Sequence, residues 1–173
     1  MRTLIFGLGN PILSDDGVGI RIAQELKSQL SVSGGRLSQT ENRKPKTEID
    51  IVEASIAGVS ILDEIVGYDR LILIDSIKTE KGKPGDVYKM KLEDLSTESC
   101  GNVTSHLSSS HGTDFATTIE LGKKLGYKIP EVVDIYAIEV ENNTTFSERC
   151  TEKVERSIPR IVEQIMEENK REF

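Results

Sequence analysis

The chain has 173 residues, of which 36% are hydrophobic and 29% charged, and no apolar run approaches the roughly 20 residues of a membrane-spanning helix. Its net charge of −7 and pI near 5.0 lack the basic character that attracts a phosphate backbone, so we expect no nucleic-acid partner. The two cysteines, Cys100 and Cys150, have no paired spacing, which indicates a reducing cytoplasm and neither a disulfide framework nor a thiolate metal site.

The first half of the chain alternates between strand and helix patterns. Its first strand ends at the glycine-rich turn that starts at Gly7, and the next segment has apolar residues at helical spacing. The polar stretch Ser31–Glu48 shows no periodicity and is predicted to be a loop. The predicted elements here are a strand at Thr3–Phe6, a helix at Gly17–Leu30, a short strand at Asp50–Val52, a helix at Ile56–Val66 and a buried strand at Arg70–Ile74 that ends at Asp75.

The second half continues the alternation. The predicted elements are a strand within Gly85–Leu92, a helix from Thr113 to about Leu125, a strand at Val132–Ile138 and a helix from Ser147 to about Glu168, kinked or restarted at Pro159. This order predicts one α/β domain over residues 1–173, with a mostly parallel twisted sheet and helices on both faces. Such sheets bind ligands beyond the carboxyl ends of their strands.

Three side chains with catalytic chemistry are predicted to meet at that edge: Asp16, Asp75 and His111. Asp75 ends an apolar strand, where a carboxylate needs a partner, although it could also cap a helix or accept hydrogen bonds from loop amides. Asp15 is expected to cap the helix that begins near Gly17. His111 precedes a predicted helix whose positive end favours a neutral imidazole, while His106 is the alternative histidine.

Two carboxylates and a neutral imidazole suit a borderline divalent metal ion, if the geometry brings them together. A dinucleotide site at Gly7–Asn10 is disfavoured, because the third glycine of the GxGxxG pattern is absent. Asp15 and Asp16 would also repel a pyrophosphate placed there.

The motifs of this chain resemble those of the hydrogenase maturation endopeptidases. The motifs that carry the resemblance are Gly7-Leu-Gly-Asn-Pro-Ile-Leu-Ser-Asp-Asp-Gly-Val-Gly19, Leu71-Ile-Leu-Ile-Asp75, Lys83-Pro-Gly85 and Ser110-His-Gly112. The resemblance implies a phosphorylase/hydrolase-like α/β fold. It also implies an enzyme that removes the C-terminal extension of the precursor of a nickel-iron hydrogenase large subunit. It implies that Asp16, Asp75 and His111 form both the nickel-recognition site and the catalytic site.

In such a scheme nickel arrives with the precursor, and no organic cofactor is expected. The ion could polarise the scissile carbonyl or activate a water molecule, with a carboxylate handling protons as in an aspartyl endopeptidase. One segment departs from the family pattern: Glu53-Ala-Ser-Ile-Ala-Gly58 stands where many members have aspartate, two glycines and threonine. The departure leaves the subfamily and its precursor open.

Two other functions are compatible with parts of this pattern. A nickel-sensing chaperone could bind the same precursor without cutting it. Peptidyl-tRNA hydrolases also begin with a strand followed by GLGNP, but Ser14-Asp-Asp-Gly17 replaces their threonine, arginine, histidine and asparagine. An acidic site of that kind would repel RNA phosphates.

Overall fold

A computed structural model describes residues 1–33, 48–56, 58–95 and 115–170. Five strands and five helices are found there: β1 (Arg2–Leu8), α1 (Val18–Ser33), β2 (Glu48–Ala54), α2 (Ser60–Ile65), β3 (Arg70–Ile77), β4 (Val87–Lys91), α3 (Leu92–Leu95), α4 (Phe115–Lys124), β5 (Val132–Glu139) and α5 (Glu152–Glu168). A 3₁₀ turn, Ser14–Gly17, precedes α1. None of the described helices is both long and apolar enough to cross a membrane.

The strands form one sheet in the order β2-β1-β3-β5-β4. The first four run parallel, and β4 pairs antiparallel with β5 at one edge. The prediction of a mostly parallel α/β sheet is therefore confirmed. Because β1 and β3 are neighbours, the loop after β1 and the end of β3 lie at the same carboxyl edge of the sheet.

Helices cover both faces of the sheet, as predicted. Alternate residues of β3 point to opposite faces, so Leu71 and Leu73 pack with residues of α2 and α4. Ile72 and Ile74 pack with residues of α1 and α5 on the other face. Every residue of β3 is buried, which explains why its sequence is a continuous apolar run up to Asp75.

The last helix differs from its prediction in where it begins. α5 starts at Glu152, not at Ser147, because Ser147 forms a parallel bridge with Leu13 instead. The helix then runs through Pro159 without a restart. Pro159 lies on the exposed side of α5, where water can bond to the carbonyl group that the proline leaves without a donor.

A buried ion pair fixes the opposite, amino edge of the sheet. The guanidinium of Arg70, the first residue of β3, donates two hydrogen bonds to Asp134 of β5 and one of 2.8 Å to Asn169. Asn169 also donates to the hydroxyl of Tyr136 and to the carbonyl of Ile165. These contacts attach the end of α5 to the sheet, away from the carboxyl edge.

Candidate active site

Glycines allow the loop after β1 to fold tightly against the start of α1. Gly9 has a φ of +143°, and a side chain there would collide with the carbonyl oxygen of Asp16. A side chain at Gly19 would collide with the carbonyl oxygens of Leu8 and Ile74. The absence of side chains at these two positions brings the turn that carries Asp16 against the ends of β1 and β3.

Asp16 lies in the 3₁₀ turn and is 1% exposed. Its Oδ2 atom accepts a hydrogen bond of 2.9 Å from the backbone N–H of Asn10. Its Oδ1 atom accepts one of 2.9 Å from the hydroxyl of Ser76 in β3. Both oxygens are thus held by donors, which fixes the orientation of the buried carboxylate.

The pairing of β3 with β1 ends at Ile74, and Asp75 is the next residue. Its Oδ1 atom accepts a hydrogen bond of 2.8 Å from the backbone N–H of Ser76. Burial raises the pKa of Asp75 to about 8, and the nearby charge of Asp16 adds to the rise, while the Ser76 N–H opposes it. At neutral pH the free protein therefore holds Asp75 mostly protonated beside Asp16.

The two carboxylates approach the carboxyl edge from opposite sides of the sheet. Side chains of β3 alternate between the two faces of the sheet. Asp75 therefore points to the same face as Leu71 and Leu73, which α2 and α4 cover. Asp16 precedes α1 on the other face, where Ser76 reaches it. Both carboxylates accept hydrogen bonds from Ser76, a contact residue that the sequence analysis missed. The convergence of Asp16, Asp75 and His111 on one ion stays a prediction.

His111 and the alternative His106 lie outside the described residues, as does Cys100. His111 precedes α4 in the sequence by four residues, and α4 covers the same face of the sheet as Asp75. In the described part of the chain, no group of three or more His, Cys, Asp or Glu side chains is placed to hold a metal ion. The described site therefore supplies two carboxylates.

Asp15 does not cap the helix that follows it, so that expectation is wrong. Its Oδ2 atom accepts hydrogen bonds from the backbone N–H groups of Glu141 and Asn142, at 3.1 and 2.9 Å, and from the hydroxyl of Thr151 at 3.0 Å. Its Oδ1 atom accepts a bond of 2.6 Å from the N–H of Thr151. Asp15 thereby ties the loop after β1 to the loop after β5 and to the start of α5.

The segment that departs from the family pattern adjoins this loop. The hydroxyl of Ser55 donates a hydrogen bond of 2.7 Å to the carbonyl of Gly9. Glu53 accepts a hydrogen bond of 2.8 Å from the side chain of Gln24 on α1. In this chain, Ser55 therefore helps to hold the tight turn that positions Asp16.

A buried glutamate holds the loop that follows β3. Glu139, at the end of β5, accepts hydrogen bonds from the N–H and the hydroxyl of Thr79, at 2.7 and 2.9 Å. Gly82 lies so close to this carboxylate that a side chain there would collide with it. The Lys83-Pro-Gly85 turn is attached through the N–H of Gly85, which donates to the Glu139 carbonyl. No signal in the sequence singled out Glu139.

Cys150 does not have the environment of a nucleophile. It is 9% exposed, and burial raises the pKa of its thiol to about 11. A thiol with such a pKa is almost entirely protonated at neutral pH, and only the thiolate is strongly nucleophilic. The chemistry of the described site therefore rests on carboxylates.

Together, the fold and the site define an α/β protein with two buried carboxylates at the carboxyl edge of its sheet, where proteins of this architecture bind ligands. A family model described as hydrogenase maturation protease matches residues 20–168. The chain belongs to the hydrogenase maturation protease family.

Individual proteins are similar to this chain in sequence or in fold. Hydrogenase 2 maturation protease from Escherichia coli (strain K12) is 24% identical over 106 residues, a match that covers 61% of this chain and 57% of that protein. This chain thus spans less than two thirds of that relative's length. Hydrogenase maturating endopeptidase HybD from E. coli shares the fold, with a TM-score of 0.71, 21% identity and coverage of 99% of this chain and 93% of that chain. The [NiFe] hydrogenase maturation protease HybD from Thermococcus kodakarensis has a TM-score of 0.63 and 19% identity, covering 96% and 98%.

Proposed function

We propose that this protein is an endopeptidase that removes the C-terminal extension of a nickel-loaded hydrogenase large-subunit precursor. Asp16, Asp75 and His111 would read the nickel ion that the precursor carries. The observation that carries the proposal is the pair of buried carboxylates linked by Ser76 at the carboxyl edge of the sheet. Membership of the hydrogenase maturation protease family supports the choice of reaction and precursor.

The chemistry of the two carboxylates supports a role in metal recognition. A second negative charge beside Asp16 is unfavourable in a buried site, which is one reason why the pKa of Asp75 is raised. A divalent cation would remove this repulsion and displace the proton of Asp75. Asp75 would therefore carry its negative charge most readily when a cation arrives with the precursor.

Nickel would arrive as part of the substrate. It would place the scissile peptide beside Asp16 and Asp75, where it could polarise the carbonyl or activate a water molecule. The carboxylates would orient the ion, and Asp75, whose pKa lies near neutrality, could exchange a proton during hydrolysis. Oxygen ligands alone do not favour nickel, so the proposal needs the imidazole of His111.

Nickel dependence is the direct test of the proposal. We expect the wild-type protein to cut nickel-loaded precursor at least about a hundredfold faster than nickel-free precursor, because an ion of this kind supplies several kcal/mol of transition-state stabilisation. The measurement is intact-mass spectrometry of the precursor and its released C-terminal fragment over time. Equal cutting of the two precursors would reject nickel recognition. Tight binding of the loaded precursor with no cutting would indicate a chaperone instead.

The histidine of the proposed site is tested by a matched pair of variants. We expect His111→Ala to cut loaded precursor at least about a hundredfold more slowly, because an imidazole ligand is lost. His106→Ala is the control and should stay within about threefold of wild type, the spread expected of a substitution away from the site. Circular dichroism confirms that both variants fold. Full activity of His111→Ala, or the larger loss in His106→Ala, would reject the assignment of His111.

A further inference from the structure

One residue outside the predicted site contacts both of its carboxylates. The hydroxyl of Ser76 donates to Asp16 Oδ1 at 2.9 Å, and the backbone N–H of the same residue donates to Asp75 Oδ1 at 2.8 Å. Ser76 is 8% exposed, so water competes little for these hydrogen bonds. Among the described residues, no other makes hydrogen bonds to both aspartates.

The two hydrogen bonds act on carboxylates from different segments of the chain. Asp16 comes from the turn before α1, and Asp75 comes from β3, whose side chain faces the side of α2 and α4. Each of the two side chains could rotate or shift independently of the other if no shared contact restrained it. Ser76 opposes that movement because its backbone and its side chain hold one carboxylate each.

The hydroxyl also completes the orientation of Asp16. The Asn10 N–H holds only the Oδ2 atom, and the carboxylate could still rotate around that contact. The bond from Ser76 to Oδ1 removes this freedom and leaves the remaining lone pairs in fixed directions. Such fixed geometry matters for an ion, because metal–oxygen bonds tolerate deviations of only about 0.2 Å.

We propose that Ser76 is a positioning residue that sets the separation and orientation of Asp16 and Asp75 so that both can engage one divalent ion. This inference rests on the proposed function, since the ion is the nickel of the precursor. Ser76 would not touch the ion or the peptide. Its hydroxyl would act through Asp16. Its backbone N–H, which neither alanine nor threonine at this position removes, would continue to hold Asp75.

The test compares Ser76→Ala, which removes the hydroxyl, with Ser76→Thr, which keeps it at a strand position that favours β-branched residues. We expect Ser76→Ala to lower kcat on nickel-loaded precursor by about 10- to 100-fold, the loss typical of a misplaced catalytic group. KM should change less than kcat, since the peptide contacts are intact. Ser76→Thr should recover kcat to within about threefold of wild type. Ser157→Ala is the control, since it removes a half-buried hydroxyl that bonds only within α5, and it should match wild type.

A second measurement does not depend on cleavage. Calorimetric titration of the free proteins with Ni²⁺ alone should show affinity at least about tenfold weaker for Ser76→Ala than for wild type, with Ser76→Thr restored. If wild type fails to cut loaded precursor, the proposed function fails and this titration alone decides about Ser76. Equal kcat in wild type and Ser76→Ala would overturn the inference. An equal loss of kcat in Ser76→Ala and Ser76→Thr would also overturn it. Where wild type does not cut, Ni²⁺ binding that is equal or undetectable in wild type and Ser76→Ala would overturn it.

Discussion

Replacing Asp75 by asparagine should lower cleavage of nickel-loaded precursor by about a thousandfold. The proposed site would lose one of its ligands and, with it, several kcal/mol of transition-state stabilisation. The substitution keeps the shape of the side chain and an oxygen that can accept the bond from the Ser76 N–H. A fold defect is therefore not expected to cause the loss. Initial rates of fragment release, measured with folded variant and loaded precursor, check this result. Near-wild-type cleavage would remove Asp75 from the proposed site.

The same variant should be more stable than wild type at neutral pH. The pKa of Asp75 is raised from its ordinary value of 3.8 to about 8 in the folded protein. Well below the ordinary pKa, the carboxyl group is protonated in both the folded and the unfolded chain, and stability is not reduced. Between pH 4 and 8 the unfolded chain releases this proton while the folded chain keeps it, so the free energy of unfolding falls as pH rises. Above pH 8 the loss is complete.

Asparagine does not titrate, so Asp75→Asn escapes this loss. Its stability advantage should grow by up to about 1 kcal/mol for each pH unit between pH 4 and 8. Urea unfolding of wild type and variant at pH 5 and at pH 7.5 measures the difference. Asp63→Asn, at an exposed position of α2, controls for the loss of one charge elsewhere on the chain. A difference that stays constant between the two pH values would contradict the raised pKa.

Local patterns predicted most of the fold because they depend on residues close in sequence. The apolar run Leu71–Ile74 indicates a strand that is buried on both faces. The helical spacing of apolar residues after Gly17 indicates a helix with one buried face. The edge position of Asp75 followed from the same run. Pairing partners are a tertiary property, however, and the antiparallel pairing of β4 with β5 was not predicted.

The details that were missed depend on contacts between distant segments. The contact between Ser76 and Asp16 joins residues 60 positions apart, and the one between Asp15 and Thr151 joins residues 136 apart. A helix-capping pattern at Asp15 could not reveal that the N–H of Thr151 competes for its carboxylate. The predicted start of α5 at Ser147 was wrong for a similar reason, since Leu13 pairs with that residue.

The neighbouring aspartates of the first loop should respond in opposite ways to the same change. In Asp16→Asn, the amide oxygen can accept from Asn10 N–H while the amide nitrogen donates to the hydroxyl oxygen of Ser76. The buried contacts survive and the charge is lost. We therefore expect stability within about 1 kcal/mol of wild type. Cleavage of loaded precursor should be about a thousandfold slower.

Asp15→Asn is the matched control, because it removes the same charge one residue away. Both oxygens of Asp15 face backbone N–H donors, so an amide nitrogen must point at one of them in either orientation. We expect a loss of about 2 to 4 kcal/mol in stability, from charged hydrogen bonds that are lost and a donor left unsatisfied. Activity per folded molecule should remain within about threefold of wild type. Urea unfolding and fragment-release rates on both variants separate the two roles. The reverse pattern, with Asp15 needed for cutting and Asp16 for stability, would exclude Asp16 from the proposed site. The hydrogen bonds of Asp16 with Asn10 and Ser76 would then serve the fold alone.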